Sequence, residues 1–209
     1  MARSVAEDAI TPGIRNPDGT LKRPRTIGRF TFMHRPMTTR IPAQTAFSAV
    51  LALPFGKFGI RIADETISEL IFLPPETPLI PANTALAIAV AERINAWIEH
   101  PRIVLELPLS NRGTAFQQRV WQALRAIPAG EVRTYGELAR TLGTAPRALG
   151  QACGANPFPL VVPCHRAVGA KGIGGFAHAS DGYLIAAKRW LLDNEAKPAN
   201  EMHSTKHAQ

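Results

Sequence analysis

The sequence predicts a two-part fold. A small antiparallel α/β unit spans residues 45–111, and a mostly α-helical unit spans residues 112–197. Three observations predict it. Short alternating apolar runs between Pro, Gly and Asp turns fill the first part. Apolar residues at helical spacing, cut by Gly and Pro, fill the second. The charge also changes sign between them: four basic and seven acidic residues in 45–111, then eleven basic and five acidic in 112–197.

Each element has its own reason. Residues 1–44 hold eight basic and three acidic residues, with much Pro, Gly and Thr and no sustained apolar period. They are predicted to be a basic, flexible N-terminal extension. Its run Lys22-Arg23-Pro24-Arg25 suits a solvated tail or a nucleic-acid contact. Phe47 to Leu53 reads as a strand, Pro54-Phe55-Gly56 as a turn, and Gly59 to Ala63 as an alternating second strand. Asp64-Glu65 turns the chain into Ile67 to Leu73, which completes an antiparallel meander. Asn83 is the expected N-cap of a helix over Thr84–Glu99, with Pro101 beyond its end. Ile103 to Leu107 is expected to return as a last strand.

In the second part, Thr114 is the expected cap of a helix reaching about Ala126. Phe116, Val120, Trp121 and Leu124 share one face of it. Ile127-Pro128-Ala129-Gly130 breaks it. Thr134 caps a short helix, Tyr135–Leu142, which Gly143 ends. A third helix follows Thr144-Ala145-Pro146 and runs to about Gly154. Two short helices joined by a Gly-containing turn form a helix-turn-helix pattern, which helical hairpins that bind nothing also share. The third helix carries Ala148, Gly150, Ala152 and Gly154. Gly in a helix costs about 1 kcal/mol relative to Ala, so these positions imply the close approach of another helix or of a nucleic-acid backbone. Leu160-Val161-Val162 reads as a short strand, Leu184 to Asn194 as the last helix, and residues 198–209 as a flexible tail.

Composition narrows the class. The 209 residues are 45% hydrophobic and 19% charged, which is ordinary for a globular chain. The N-terminus MARSVAEDAI has no apolar run behind it, and the sequence has no long uncharged apolar stretch. Neither a secretory signal nor a membrane span is therefore predicted. Two cysteines, Cys153 and Cys164, cannot make a disulfide framework or a four-cysteine zinc site, which suits a reducing, cytoplasmic setting. A net charge of +8 favours a polyanionic partner, although solubility alone accounts for it equally well.

The chemistry concentrates at Pro163-Cys164-His165-Arg166. Cys164 ends an apolar run, Pro163 restricts the backbone before it, and a neighbouring cation is expected to lower its thiol from about 8.5. On an extended chain Cys164 and His165 point to opposite faces, so His165 is expected to reach the thiol through a water. A base of this kind needs an acceptor to orient it, and Glu195 is the candidate. Cys153, among small helical residues, reads as structural.

These residues resemble a known family. Gly113-Thr114-Ala115-Phe116-Gln117, Ile127-Pro128-Ala129-Gly130, Thr134-Tyr135-Gly136, Arg147-Ala148-Leu149-Gly150, Asn156-Pro157, Pro163-Cys164-His165-Arg166, and Lys188 with Leu191-Leu192 and Glu195 are similar to O6-alkylguanine-DNA alkyltransferases, the methylated-DNA–protein-cysteine S-methyltransferases. The likeness is close over 112–195 and looser over 45–111. It implies a ribonuclease-H-like N-terminal domain and a winged helix-turn-helix-like C-terminal domain. It implies DNA repair by one transfer per molecule, from O6-alkylguanine (and O4-alkylthymine) to Cys164, by a cytoplasmic monomer with no cofactor and no metal. The partner is double-stranded DNA carrying the lesion.

The resemblance also implies roles. His165 deprotonates Cys164, Glu195 holds His165, and Asn156 is a hinge. Tyr135 rotates a phosphate and assists the leaving guanine. Arg147 fills the vacated stack, and Ala148 and Gly150 let the helix enter a minor groove about 6 Å wide. Thr134 and Arg166 join the DNA-contacting set. Pro163, Phe176 and Ala177 line the alkyl pocket. Three features depart from the family pattern. The Tyr135-to-Arg147 spacing is two residues shorter, Phe176 stands where a Tyr is usual, and Ala177-His178-Ala179-Ser180-Asp181-Gly182 is an insertion. His178 and Ser180 read as solvated loop residues or as pocket residues. The competing readings are a non-catalytic damage sensor or helix-turn-helix regulator, which would not need Cys164, and a Cys–His protease, for which no local pattern exists.

Overall fold

The structure, a computed structural model, describes residues 46–197. The expectations for residues 1–44 and 198–209 lie outside the described residues.

The meander forms as the alternation predicts. β1 (Ala49–Leu53), β2 (Gly56–Ala63) and β3 (Thr66–Leu73) pair antiparallel in that order, with an irregularity at Arg61/Ile62. Asp64 and Glu65 make the second turn with φ of 48° and 56°, the left-handed pair that tight hairpins need. One face of the sheet carries Phe58, Ile60, Ile67, Leu70 and Phe72 into the core. The helix α1 (Ala85–Glu99) packs there through Ala87, Val90, Ile94 and Trp97.

Two local expectations change. Thr84, not Asn83, caps α1: its hydroxyl accepts from Ala87 N at 3.2 Å. Residues 103–107 form no strand. Val104 is exposed, and this connection meets β3 only later, at a bridge between Ile67 and Leu109. Of the apolar run Ile103-Val104-Leu105 only Leu105 is buried, and the run pairs with no strand among the described residues.

The remaining helices are α2 (Ala115–Arg125), α3 (Tyr135–Thr141), α4 (Pro146–Gly154) and α5 (Gly182–Ala196). Thr114 and Thr134 each close a capping box, with Gln117 and Glu137 as reciprocal partners. A two-residue parallel ladder, not foreseen in the sequence, joins β4 (Arg133–Thr134) to β5 (Ala167–Val168). It links the start of α3 to the segment that follows Cys164.

The two sequence segments share one core. Phe72 meets Phe176 edge-on with ring centroids 5.2 Å apart, and Phe55 meets Trp190 of α5 at 5.6 Å. Leu70 N donates to Pro157 O at 2.8 Å, and Asn194 Nδ2 donates to Ile98 O at 3.0 Å. The sheet therefore buttresses the loop and helix that carry the candidate chemistry. No helix among the described residues is long and apolar enough to cross a membrane.

Candidate active site

Leu160-Val161-Val162 is not a strand. Leu160 takes a φ of 73°, Val162 N donates back to Phe158 O at 2.8 Å, and Cys164–Arg166 forms a single 3₁₀ turn. A left-handed residue cannot continue a ladder, so the apolar run buries itself as a turn. This bend replaces the extended geometry expected around Cys164. Cys164 is 6% exposed, and Asn156 Nδ2 stands 3.3 Å from its Sγ. The same amide nitrogen donates to Val162 O at 2.9 Å, and Asn156 Oδ1 accepts from Phe158 N at 3.0 Å. Asn156 thus fixes the turn from both ends of its amide and points a donor at the sulfur.

Behind the thiol lies a fully buried ion cluster. His165 Nε2 meets Glu195 Oε1 at 2.8 Å. Arg166 Nε and Nη2 reach Glu195 Oε2 and Oε1 at 2.9 and 2.8 Å, a bidentate pair. Arg166 Nη1 also donates to Ile127 O, and Gly130 N donates to Glu195 Oε2 at 3.2 Å. Gly130 has a φ of 83°, and a Cβ there would crowd Glu195 O, so glycine is needed at this turn.

Titration follows from this geometry. Burial opposes ionisation of Glu195, but the bonds from His165 and Arg166 outweigh it and hold its carboxyl down at about 2. Glu195 is therefore a carboxylate and accepts. Burial pushes His165 below its ordinary value, so it is a neutral imidazole with its hydrogen on Nε2 and a bare Nδ1. Burial pushes the Cys164 thiol up, against the opposing pull of Asn156 and Lys188. This corrects the expectation of a lowered thiol. Desolvation dominates, and the Arg166 charge is engaged by Glu195 rather than by sulfur.

Lys188 has a place that its sequence position did not announce. Its ammonium is fully buried and donates to Ala167 O, Ile173 O and Gly175 O at 2.7, 2.7 and 2.9 Å. Burial lowers it to about 8. It holds the loop after the 3₁₀ turn and stands between the rings of Tyr135 and Phe176, 5.8 and 5.9 Å from their centroids. One signal existed. Lys188, Leu191 and Glu195 recur on the buried face of α5, where a solvent-facing charge would not fall.

The thiol opens onto a cavity of about 570 Å³. Tyr135, Arg147, Gly150, Cys153, Cys164, Phe176, Ala177 and His178 are among its lining residues. Tyr135 donates from its hydroxyl to Gly175 O at 3.2 Å, and burial raises its phenol further above its ordinary value. Arg147 is exposed at the start of α4, and Ala148 and Gly150 are half-buried on it. Burial lifts Cys153 to about 12, which fits an inert thiol.

Two candidate assignments need correction. Arg166 does not face outward as a DNA contact. It is buried and committed to Glu195 and the Ile127 carbonyl, so it orients the cluster. Pro163 is buried and lines a separate cleft of about 1040 Å³ that Cys164 does not reach. Thr134 keeps its hydroxyl within its own capping box, accepting from Glu137 N at 3.1 Å. The two glycines of α4 also separate. The space above Gly154 is filled by His178, whereas a Cβ on Gly150 would meet nothing within 4 Å. Among the described residues no group of three or more His, Cys, Asp or Glu side chains is placed to hold a metal.

A buried cysteine on a cavity beside α4, next to a neutral histidine held by a carboxylate, defines a site of the cysteine–histidine class. Likeness to known proteins narrows that class. Residues 115–197 match the family model for the DNA-binding domain of 6-O-methylguanine DNA methyltransferase. The methylated-DNA–protein-cysteine methyltransferase of Mycobacterium tuberculosis is 38% identical over 159 residues, covering 75% of this chain and 93% of that protein. The regulatory protein Ada of Salmonella typhimurium is 44% identical over 138 residues, but this chain spans only 37% of Ada's length. The crystal structure of M. tuberculosis OGT in complex with DNA superposes with a TM-score of 0.58 at 34% identity, covering 73% of this chain and 96% of that one. The chain belongs to the methylated-DNA–protein-cysteine methyltransferase family.

Proposed function

We propose that this protein repairs duplex DNA by moving an alkyl group from O6 of a modified guanine to Sγ of Cys164, once per molecule. The observation that carries the reading is the buried thiol on the 570 Å³ cavity with the His165–Glu195–Arg166 cluster behind it. Family membership and a relative crystallised with DNA support it.

The steps follow from the resting charges. Cys164 and His165 are both neutral at rest. Nδ1 of His165 takes the thiol proton through one bridging water, and Glu195 stabilises the resulting imidazolium. The sulfur then attacks the alkyl carbon. The S–C bond forms as the C–O6 bond breaks, and the electron pair stays on guanine, which takes a proton from water as the His165 imidazolium returns its own to the solvent. Tyr135 stands on the cavity as the group that assists this departure. The product is a thioether, whose S–C bond thiol exchange does not reverse, so the molecule is used once.

The target oxygen is paired inside the helix, so the nucleotide must leave the stack. In this reading α3 and α4 act as the helix-turn-helix of a winged domain over 112–197. The open surface at Ala148 and Gly150 lies in the minor groove, and Arg147 fills the gap. Residues 45–111 are a ribonuclease-H-like scaffold. O4-alkylthymine is a second substrate, and the protein acts as a cytoplasmic monomer without a cofactor.

Intact mass after incubation with duplex DNA bearing O6-methylguanine tests the reading. One added methyl, mapped to Cys164 and lost in Cys164→Ala, is the expected result. Unchanged mass with retained DNA binding would favour a damage sensor.

A further inference from the structure

The inserted loop makes a turn of an unusual kind. Phe176 and Ala179 exchange backbone hydrogen bonds of 2.9 and 2.8 Å across it. The two central residues, Ala177 and His178, have φ of 47° and 66°. Such a turn favours Asn-Gly, since both central residues lie in the left-handed region. Here both carry ordinary side chains, so the surroundings must hold them. Phe176 is anchored on Phe72, and the Gly175 carbonyl is held by Lys188. The third hold is His178. Its imidazole lies against the last residue of α4, where a Cβ on Gly154 would collide with Cε1, Nε2 and Nδ1 of the ring. His178 is exposed on its other side and lines the same cavity as Cys164.

We infer that the His178 ring, seated on Gly154, is the movable outer wall of the Cys164 cavity and sets the size of alkyl group that the thiol accepts. This deepens the alkyl-transfer reading and rests on it. A small group reaches the sulfur with the ring in its seat. A bulky aromatic group needs the ring to leave, and an exposed side chain held by one glycine can do so. The seat also explains Gly154 without reference to DNA, unlike Gly150, whose face is open.

Transfer from free O6-methylguanine and free O6-benzylguanine, followed by intact mass on the full chain, tests the wall without involving DNA binding. His178→Ala is expected to raise the benzyl-to-methyl rate ratio about tenfold, the scale of one misfitted group in a pocket. Gly154→Ala should raise it too, because the new Cβ evicts the ring. The double variant should match His178→Ala alone, since without the ring nothing remains for the Cβ to displace. It also separates eviction from damage to α4. An unchanged ratio, or a rise in only one single variant, overturns the inference. A wild-type Cys164 that takes neither of these groups, nor the methyl of O6-methylguanine in duplex DNA, overturns the transfer reading itself, and this inference with it.

Discussion

The two sides of Cys164 are built in opposite ways. Behind it, His165, Arg166, Glu195 and Lys188 are buried, and each is held by partners from other parts of the chain. In front of it, Arg147 and His178 are exposed, and the space beside Gly150 is open. The difference teaches what each side is for. Charges taken from water are tolerable only when paired, so the rear must be complete before any ligand arrives. A surface that must take in a ligand has to leave its groups unpaired.

Breaking the rear should have the largest effect. Glu195→Ala leaves Arg166 and His165 buried without their acceptor. It is expected to lose about 3–5 kcal/mol of stability in urea unfolding, the range for a severed buried pair. Acid tests the same group more gently. The folded carboxyl sits at about 2, against an ordinary 4.5. Its stabilisation is therefore present above about pH 4.5 and is lost as pH falls toward 2. Wild type should lose stability relative to Glu195→Gln across that window, and parallel curves would refute the assignment.

Lys188→Leu should come next, at about 2–3 kcal/mol, because three buried carbonyls lose their donor. Its pH signature has the opposite position. The folded ammonium titrates near 8 and the unfolded one near 10.5, so the unfolded chain binds the extra proton. Stability should rise with pH between those values in wild type and not in the variant. Asn156→Ala is expected to loosen the turn that it bonds and to act on the thiol as well. It removes the donor at the sulfur, so the pH profile of iodoacetamide labelling at Cys164 should move upward. The front should be the least sensitive in stability. Arg147→Ala is expected to shift it by under about 0.5 kcal/mol, as for an exposed residue. Transfer from duplex DNA should fall more than transfer from the free base, and an equal fall on both would assign Arg147 to the fold.

Legibility in the sequence follows the same division. Thr114 and Thr134 were readable as caps because a hydroxyl before an apolar period has one local use. The meander was readable from alternation. The residues Cys164, His165 and Glu195 were legible as a set, but the state of the thiol was not. Pro-Cys-His-Arg shows a cation beside a sulfur, whereas the fold turns that cation toward Glu195, 29 residues away. The left-handed Leu160 and the seat of His178 are tertiary facts. No local propensity asks Leu for a positive φ, and no spacing joins Gly154 to a loop 24 residues later.

The short ladder of β4 and β5 has one more consequence. It ties Thr134, immediately before Tyr135, to Val168, just beyond the 3₁₀ turn that carries Cys164, through main-chain atoms. The main chain at the start of α3 is thereby tied to the main chain just after the 3₁₀ turn by backbone bonds rather than by side-chain contacts. Changes to the side chains that rim the cavity can therefore reshape its opening without touching that backbone tie.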